Sequence, residues 1–221
     1  MSVSYKSSST SSASTITAPS DIVSGDLIVL LDMATNYTDY PTLVTPSGFI
    51  SIGNTTVSYF AFHRQNLSYK IADGSEAGAT ITGMSSGDGV KKALYVFTAT
   101  NAISAVSVQS YNGIGTIVDP SPQSVTSGSG SPPIIVLAGY GSVGSIDPRS
   151  FSPAKDGEIN PDGYMYLAYK IYNSSPSDVT VDMEDEGAQL LQSCYLEITE
   201  ESSGLSITCA EGSFSITGQD A

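Results

Sequence analysis

Tryptophan is absent from this 221-residue sequence, histidine occurs once and cysteine twice. With a single histidine, a Ser–His–Asp triad would have to be built around His63. No Gly-x-Ser-x-Gly elbow is present to support one, so His63 reads as a structural or surface residue. Two cysteines with no histidine near them in sequence do not make a zinc site. The lack of tryptophan weakens a lectin reading. Basic residues are scarce as well: Lys6, Arg64, Lys70, Lys91, Lys92, Arg149, Lys155 and Lys170 stand scattered against 22 acidic side chains, for a net charge of −14. No basic patch exists to neutralise phosphates, so direct nucleic-acid binding is not expected. An anionic membrane surface would repel the chain. No apolar run approaches the roughly 20 residues of a membrane-spanning helix. Met1 to Lys6 leads into Ser and Thr rather than into the apolar region of a signal peptide, so synthesis and first folding are expected in a cytoplasm.

What is present is β-forming. Hydrophobic residues make up 40% of the chain, enough for a core, while charged residues are only 14%, below the roughly 25% of ordinary soluble domains. Ser, Thr, Gly, Tyr and Val are abundant and suit strands. The helix formers Glu, Lys, Leu and Arg are thin. Leu27–Leu31 is a continuous apolar run, the signature of a strand buried on both faces. Val57–Ile71 alternates with the period of two that a strand imposes. Further short strands are expected at 80–82, 94–98, 105–109, 134–139, 164–172, 178–183, 194–199 and 205–209, separated by turn residues.

The chain also echoes itself. Leu67-Ser68-Tyr69-Lys70-Ile71 returns as Leu167-Ala168-Tyr169-Lys170-Ile171, Ile28-Val29-Leu30 as Ile135-Val136-Leu137, Pro46-Ser47-Gly48-Phe49 as Pro148-Arg149-Ser150-Phe151, and Thr80-Ile81 as Thr180-Val181. A fixed-order echo points to a duplicated structural unit. The expected fold is all-β, an antiparallel, jelly-roll-like β-sandwich built from two related tandem units. Residues 1–118 form the first, with a Ser/Thr-rich N-terminal arm or edge strand, and 119–221 the second. The two units stand as separate domains or merge into one larger sandwich. The segment 119–133 reads either as a linker or as the opening of the second unit.

Candidate chemistry is sparse. A four-residue loop at Glu200–Ser203 would set Cys194 opposite Cys209 with Leu196 opposite Ile207, all on one face. They read as a cross-strand thiol pair, either a disulfide or, as the missing signal peptide favours, two free thiols. Asp182, Glu184 and Asp185 are calcium candidates, set against a plain solvated acidic turn. No other metal ligand, catalytic residue or cofactor is expected. Contact candidates are Tyr5 and Ile16 in the arm, and Tyr37, Tyr40 and Tyr111 in loop-like contexts, because tyrosine buries area while keeping a polar tip.

Gly25-Asp26-Leu27-Ile28-Val29-Leu30-Leu31, Pro46-Ser47-Gly48-Phe49 and Leu67 to Glu76 together resemble a pattern found in tailed-bacteriophage virion proteins. It runs from a Ser/Thr-rich start through "GDL" and an apolar strand to a "P-x-G-F/W" turn and a "Y-K-x-A-D-G-x-E" turn. The likeness covers mainly residues 7–85, with a degenerate copy in 134–183, where Tyr172-Asn173-Ser174 replaces Ala72-Asp73-Gly74. It implies a non-enzymatic structural accessory protein, made in the host cytoplasm and carried on the virion. Capsid decoration, packing on other virion subunits and self-associating on the particle, is the first reading. A tail fibre or host-attachment module binding a cell-surface glycan is the second, and a glycan hydrolase the last. The resemblance carries over no active-site residue.

Overall fold

The computed structural model describes residues 2–116, 123–125, 132–142, 151–160, 165–181, 189–201, 209–210 and 213–214. Every regular element among them is a strand. The first half supplies β1 (Val3–Ser11), β2 (Ile16–Thr17), β3 (Leu27–Asn36), β4 (Ile50–Tyr59), β5 (Ala61–Ile71), β6 (Thr80–Ile81) and β7 (Gly89–Ala99). The second supplies β8 (Ile103–Thr116), β9 (Gln123–Val125), β10 (Ile134–Ser142), β11 (Phe151–Ser152), β12 (Gly157–Ile159), β13 (Met165–Tyr172), β14 (Val179–Val181) and β15 (Gln189–Glu200). A short pair, β16 (Cys209–Ala210) and β17 (Ser213–Phe214), follows.

Two five-stranded sheets carry the fold, in the orders β1-β7-β3-β5-β4 and β8-β15-β10-β13-β12. Their paired strands run antiparallel. The order is the same in both, strand for strand. Each sheet is also backed by a small sheet of like origin, β2-β6 outside the first and β11-β14-β9 outside the second.

Burial explains the layering. Leu27, Val29 and Leu31 point into a core shared with Ile135, Leu137, Leu167 and Leu196 of the other sheet, so the two sheets face each other. Ile28 and Leu30 point outward, into a second core beneath β2 and β6 with Ile16, Ile81 and Leu94. Val136 and Ala138 do the same in a third core with Phe151 and Val179. All five residues of Leu27–Leu31 are 0% exposed, the double burial that the unbroken apolar run predicts.

Several expectations change. β8 was expected to complete the first unit, but it pairs with β15 along its whole length. The second sheet therefore starts at Ile103, ahead of the boundary expected at 118/119. Val57–Ile71 is not one strand. Phe60 sits at φ +55° between Tyr59 and Ala61, which face each other across a tight hairpin. A non-glycine residue at positive φ leaves no turn signature in the sequence.

The echo is also in a different register at its first strand. Val29 pairs with Tyr69, and Leu137 pairs with Tyr169. Val29 therefore corresponds to Leu137 and not to Val136, a one-residue slip that would exchange core and outer faces. The expected Cys194–Cys209 hairpin does not form. β15 lies between β10 and β8, and the positions beside Cys194 are held by Leu137 and Tyr111. Cys194 is a buried free thiol, whose pKa burial pushes up. The backbone partner of Cys209 is Phe214.

Candidate functional surface

Most polar side chains that the fold buries are used to tie it together. After β5, Glu76 accepts hydrogen bonds from the backbone N–H groups of Asp73 and Gly74, both at 3.2 Å, and Asp73 accepts one from Ser75 N–H at 2.9 Å. Lys70 ion-pairs with both carboxylates. These are the residues of the "Y-K-x-A-D-G-x-E" pattern, and their geometry is that of a self-closed turn. In the second half, Lys170 turns to Asp156 instead (2.8 Å). Asn173 reaches across to β1, where its amide donates to Val3 C=O (3.1 Å) and accepts from Val3 N–H (2.7 Å). Asn173 thus stands in for a neighbouring strand at the open edge of β1 and blocks pairing there.

The Ser/Thr-rich start is therefore an integral edge strand and not a free arm. Tyr5 is 43% exposed, yet its ring stacks on Tyr169 at 5.7 Å and meets Tyr95 edge-on at 5.8 Å. Ile16 is 1% exposed. It belongs to the core under β2 and β6 and is unavailable as a contact. Tyr111 also departs from expectation. It lies within β8 rather than in a loop, and its hydroxyl donates to Asn54 C=O of β4 at 2.9 Å, fastening one sheet to the other. Burial raises its pKa. Asp182, Glu184 and Asp185 lie outside the described residues.

Tyr37 and Tyr40 remain on the surface, at 71% and 39% exposure, and Phe60 joins them at 87%. Tyr40 is held by Arg64 over its ring (5.2 Å) and by an edge contact with Phe62 (5.0 Å). Tyr37 and Phe60 stand at the rim of a cleft of about 260 Å³ whose other lining residues include Thr35, His63, Asp88 and Lys91. The sequence makes this hollow by economy of side chain. Thr35 lies between His63 on β5 and Gly89 on β7. Gly89 fills nothing, and a Cβ placed there would meet only the Thr35 Cβ, at 3.7 Å. Gly141 of the facing sheet still covers Met33; the cleft opens one step further along β3.

The floor is polar. Thr35 Oγ1 and His63 Nδ1 share a hydrogen bond of 2.8 Å. Asp88 Oδ2 accepts from Tyr37 N–H at 3.1 Å, and Asp88 N–H donates to Asn36 at 3.2 Å, so the loops after β3 and before β7 are linked. A hydroxyl, an imidazole, a carboxylate and an ammonium between two exposed rings can stack a flat ligand face and hydrogen-bond its edge. Tyr37 was legible in the sequence as a contact candidate, whereas His63 read as a structural or surface residue and Phe60, Asp88 and Lys91 were missed; the hairpin that brings Phe60 here has no turn signature. Comparison with family models, curated proteins and solved structures finds no match to this chain.

Proposed function

We propose that this protein is a structural accessory component of a tailed-phage virion, docking on neighbouring particle subunits through its aromatic end. One observation carries the reading: two large rings, Tyr37 and Phe60, are 71% and 87% exposed beside one another around a shared cleft. Exposed aromatics grouped in this way mark contact surfaces, where rings supply most of the binding energy. On a symmetric particle a modest contact repeated many times gives high avidity. The finer architecture that fits this role is a tandem of two related units meeting face to face. Each five-stranded sheet is built from one contiguous half of the chain, unlike a jelly roll, whose two Greek keys are shared between sheets.

The test is reconstitution on particles lacking the protein. Saturation at high copy number on the heads is expected, with the Tyr37→Ser/Phe60→Ser double variant binding at least about thirtyfold more weakly, the weight of one hot-spot residue. Binding unchanged by the double variant would overturn the docking surface.

A second reading, saccharide attachment, is favoured by the polar floor between the two rings. It predicts a few copies at the tail, and glycan binding that Gly89→Ala weakens by narrowing the cleft. Hydrolysis ranks last. It needs two carboxylates roughly 5–10 Å apart across a cleft, and Asp88 is the one carboxylate among the described lining residues.

A further inference from the structure

Lys92 and Asp32 face each other in register on β7 and β3, on the outer face of the first sheet. Both side chains are 0% exposed. Their neighbours along the strands are apolar: Leu30 opposite Leu94 on one side, Ala34 opposite Val90 on the other. The segment before β7 closes over them, with Met84 and Ser85 both buried. Within this enclosure the two side chains are in direct contact through Lys92 Nζ and Asp32 Oδ1. Ser85 brackets the pair with its backbone: its N–H donates to Asp32 Oδ2 at 2.8 Å and its C=O accepts from Lys92 Nζ at 3.1 Å.

A fully desolvated ion pair is a costly arrangement, because the mutual attraction of the charges seldom repays their lost hydration. We propose that Lys92 and Asp32 condense to an intramolecular isopeptide bond that joins β7 covalently to β3. The Nζ ammonium first passes a proton to Oδ1, leaving an amine beside a carboxylic acid. The amine attacks Cγ, and negative charge develops on Oδ2, where Ser85 N–H already points, as a donor in an oxyanion hole does. A second proton moves from nitrogen to Oδ1, the Cγ–Oδ1 bond breaks, and one water leaves. One hydrogen stays on the new amide nitrogen. No oxidant or co-reactant is required, and the net charge of the chain does not change. Holding the two groups in contact replaces a bimolecular condensation with an intramolecular one.

The product suits the site better than the reactants do. The amide N–H faces Ser85 C=O, the amide C=O faces Ser85 N–H, and no buried charge remains. The bond would tie the edge-side strand β7 to the central strand β3 of a protein proposed to dock on a particle, although the chemistry does not depend on that role.

The test is the intact mass of the purified, folded, full-length chain under denaturing conditions. The expected mass is lower than the sequence mass by one water. A tryptic digest should contain a branched peptide joining the Asp32 and Lys92 segments, found by tandem mass spectrometry. Lys92→Arg keeps the charge but cannot condense in this way, and should return the full mass. A wild-type chain that stays at its sequence mass after prolonged incubation overturns the proposal. So does a water deficit that persists in Lys92→Arg, since that would be dehydration elsewhere, such as a succinimide. The branched peptide is read on the wild-type chain, so the proposal stands or falls even if the variant does not fold.

Discussion

Lys70 and Asp73 show how single residues set the pH response. Hydrogen bonds from Ser75, then the nearby Lys70, hold the Asp73 carboxyl down to about 2 from its usual 3.8. A depressed carboxyl stabilises the fold above its unfolded value, and that contribution disappears as the pH falls through the folded one. The window is therefore 3.8 down to about 2. Lys70 is shifted upward, chiefly by its hydrogen bond to Glu76. Its contribution is complete below 10.5 and is lost as alkali carries the pH through the raised value. Denaturant midpoints measured against pH should show an acid-side loss in this window, and Asp73→Asn should shrink it. That a turn lies here was implied by the "Y-K-x-A-D-G-x-E" resemblance. The Lys92–Asp32 pair was not legible, because sixty residues separate its members and only strand pairing makes them neighbours. Ile16 was misread for a similar reason: a β-branched residue inside a Ser/Thr-rich segment looks exposed until β6 is laid beside it.

At the level of elements, two backbone features carry the predictions. Phe60 holds a left-handed conformation that costs an ordinary residue about 1–2 kcal/mol. Phe60→Gly should raise stability by about 1 kcal/mol in chemical denaturation while weakening whatever the cleft binds. A gain in stability with full binding would mean that the ring is not a contact. Gly115 of β8 lies so close to β4 that a Cβ would overlap the Thr56 carbonyl oxygen. Because the obstacle is backbone, Gly115→Ala should cost about 1–3 kcal/mol or more, whereas Gly89→Ala should be nearly neutral in the same assay. The edge strands also share an irregularity. The ladder of β1 skips Lys6 between Tyr5 and Ser7, and that of β8 skips Gln109 between Val108 and Ser110. Phe97 and Val96 face the first bulge, and Leu196 and Tyr195, their counterparts by register, face the second. A bulge kept at the same place in both halves strengthens the case for duplication well beyond the five-residue echo, since bulges are specific features of a strand and not random defects.

For the whole molecule, hydrogen bonds join the two halves at corresponding places on their edge strands. Val3 and Val106 hold equivalent places on the two edge strands, opposite Ala99 and Ile198. The carbonyl of each accepts a hydrogen bond from the other half, from Asn173 at 3.1 Å and from Tyr69 at 3.3 Å. Tyr95 adds a third bridge, donating to Leu167 C=O at 2.8 Å. Because one core serves both sheets, neither half can bury its inner face alone. Residues 1–100 and 101–221, produced separately, should be insoluble or lack a cooperative transition, and produced together they should copurify as a complex. A cooperatively folded monomer from either half would sink this account. The removal of residues 2–18 should likewise unfold the protein rather than merely undock it, because that stretch contains all of β1 and the core residue Ile16.

Alternation and apolar runs by themselves determined that this is a β protein, because burial on one or both faces imposes a local period that can be read along the chain. Which strands lie side by side was decided only in three dimensions. The assignment of β8 to the second sheet, the separation of Cys194 from Cys209, the contact of Lys92 with Asp32 and the gathering of Tyr37, Phe60 and His63 around one cleft all depend on pairing between distant segments. A local period records which face of a strand is buried, and not which strand lies beside it.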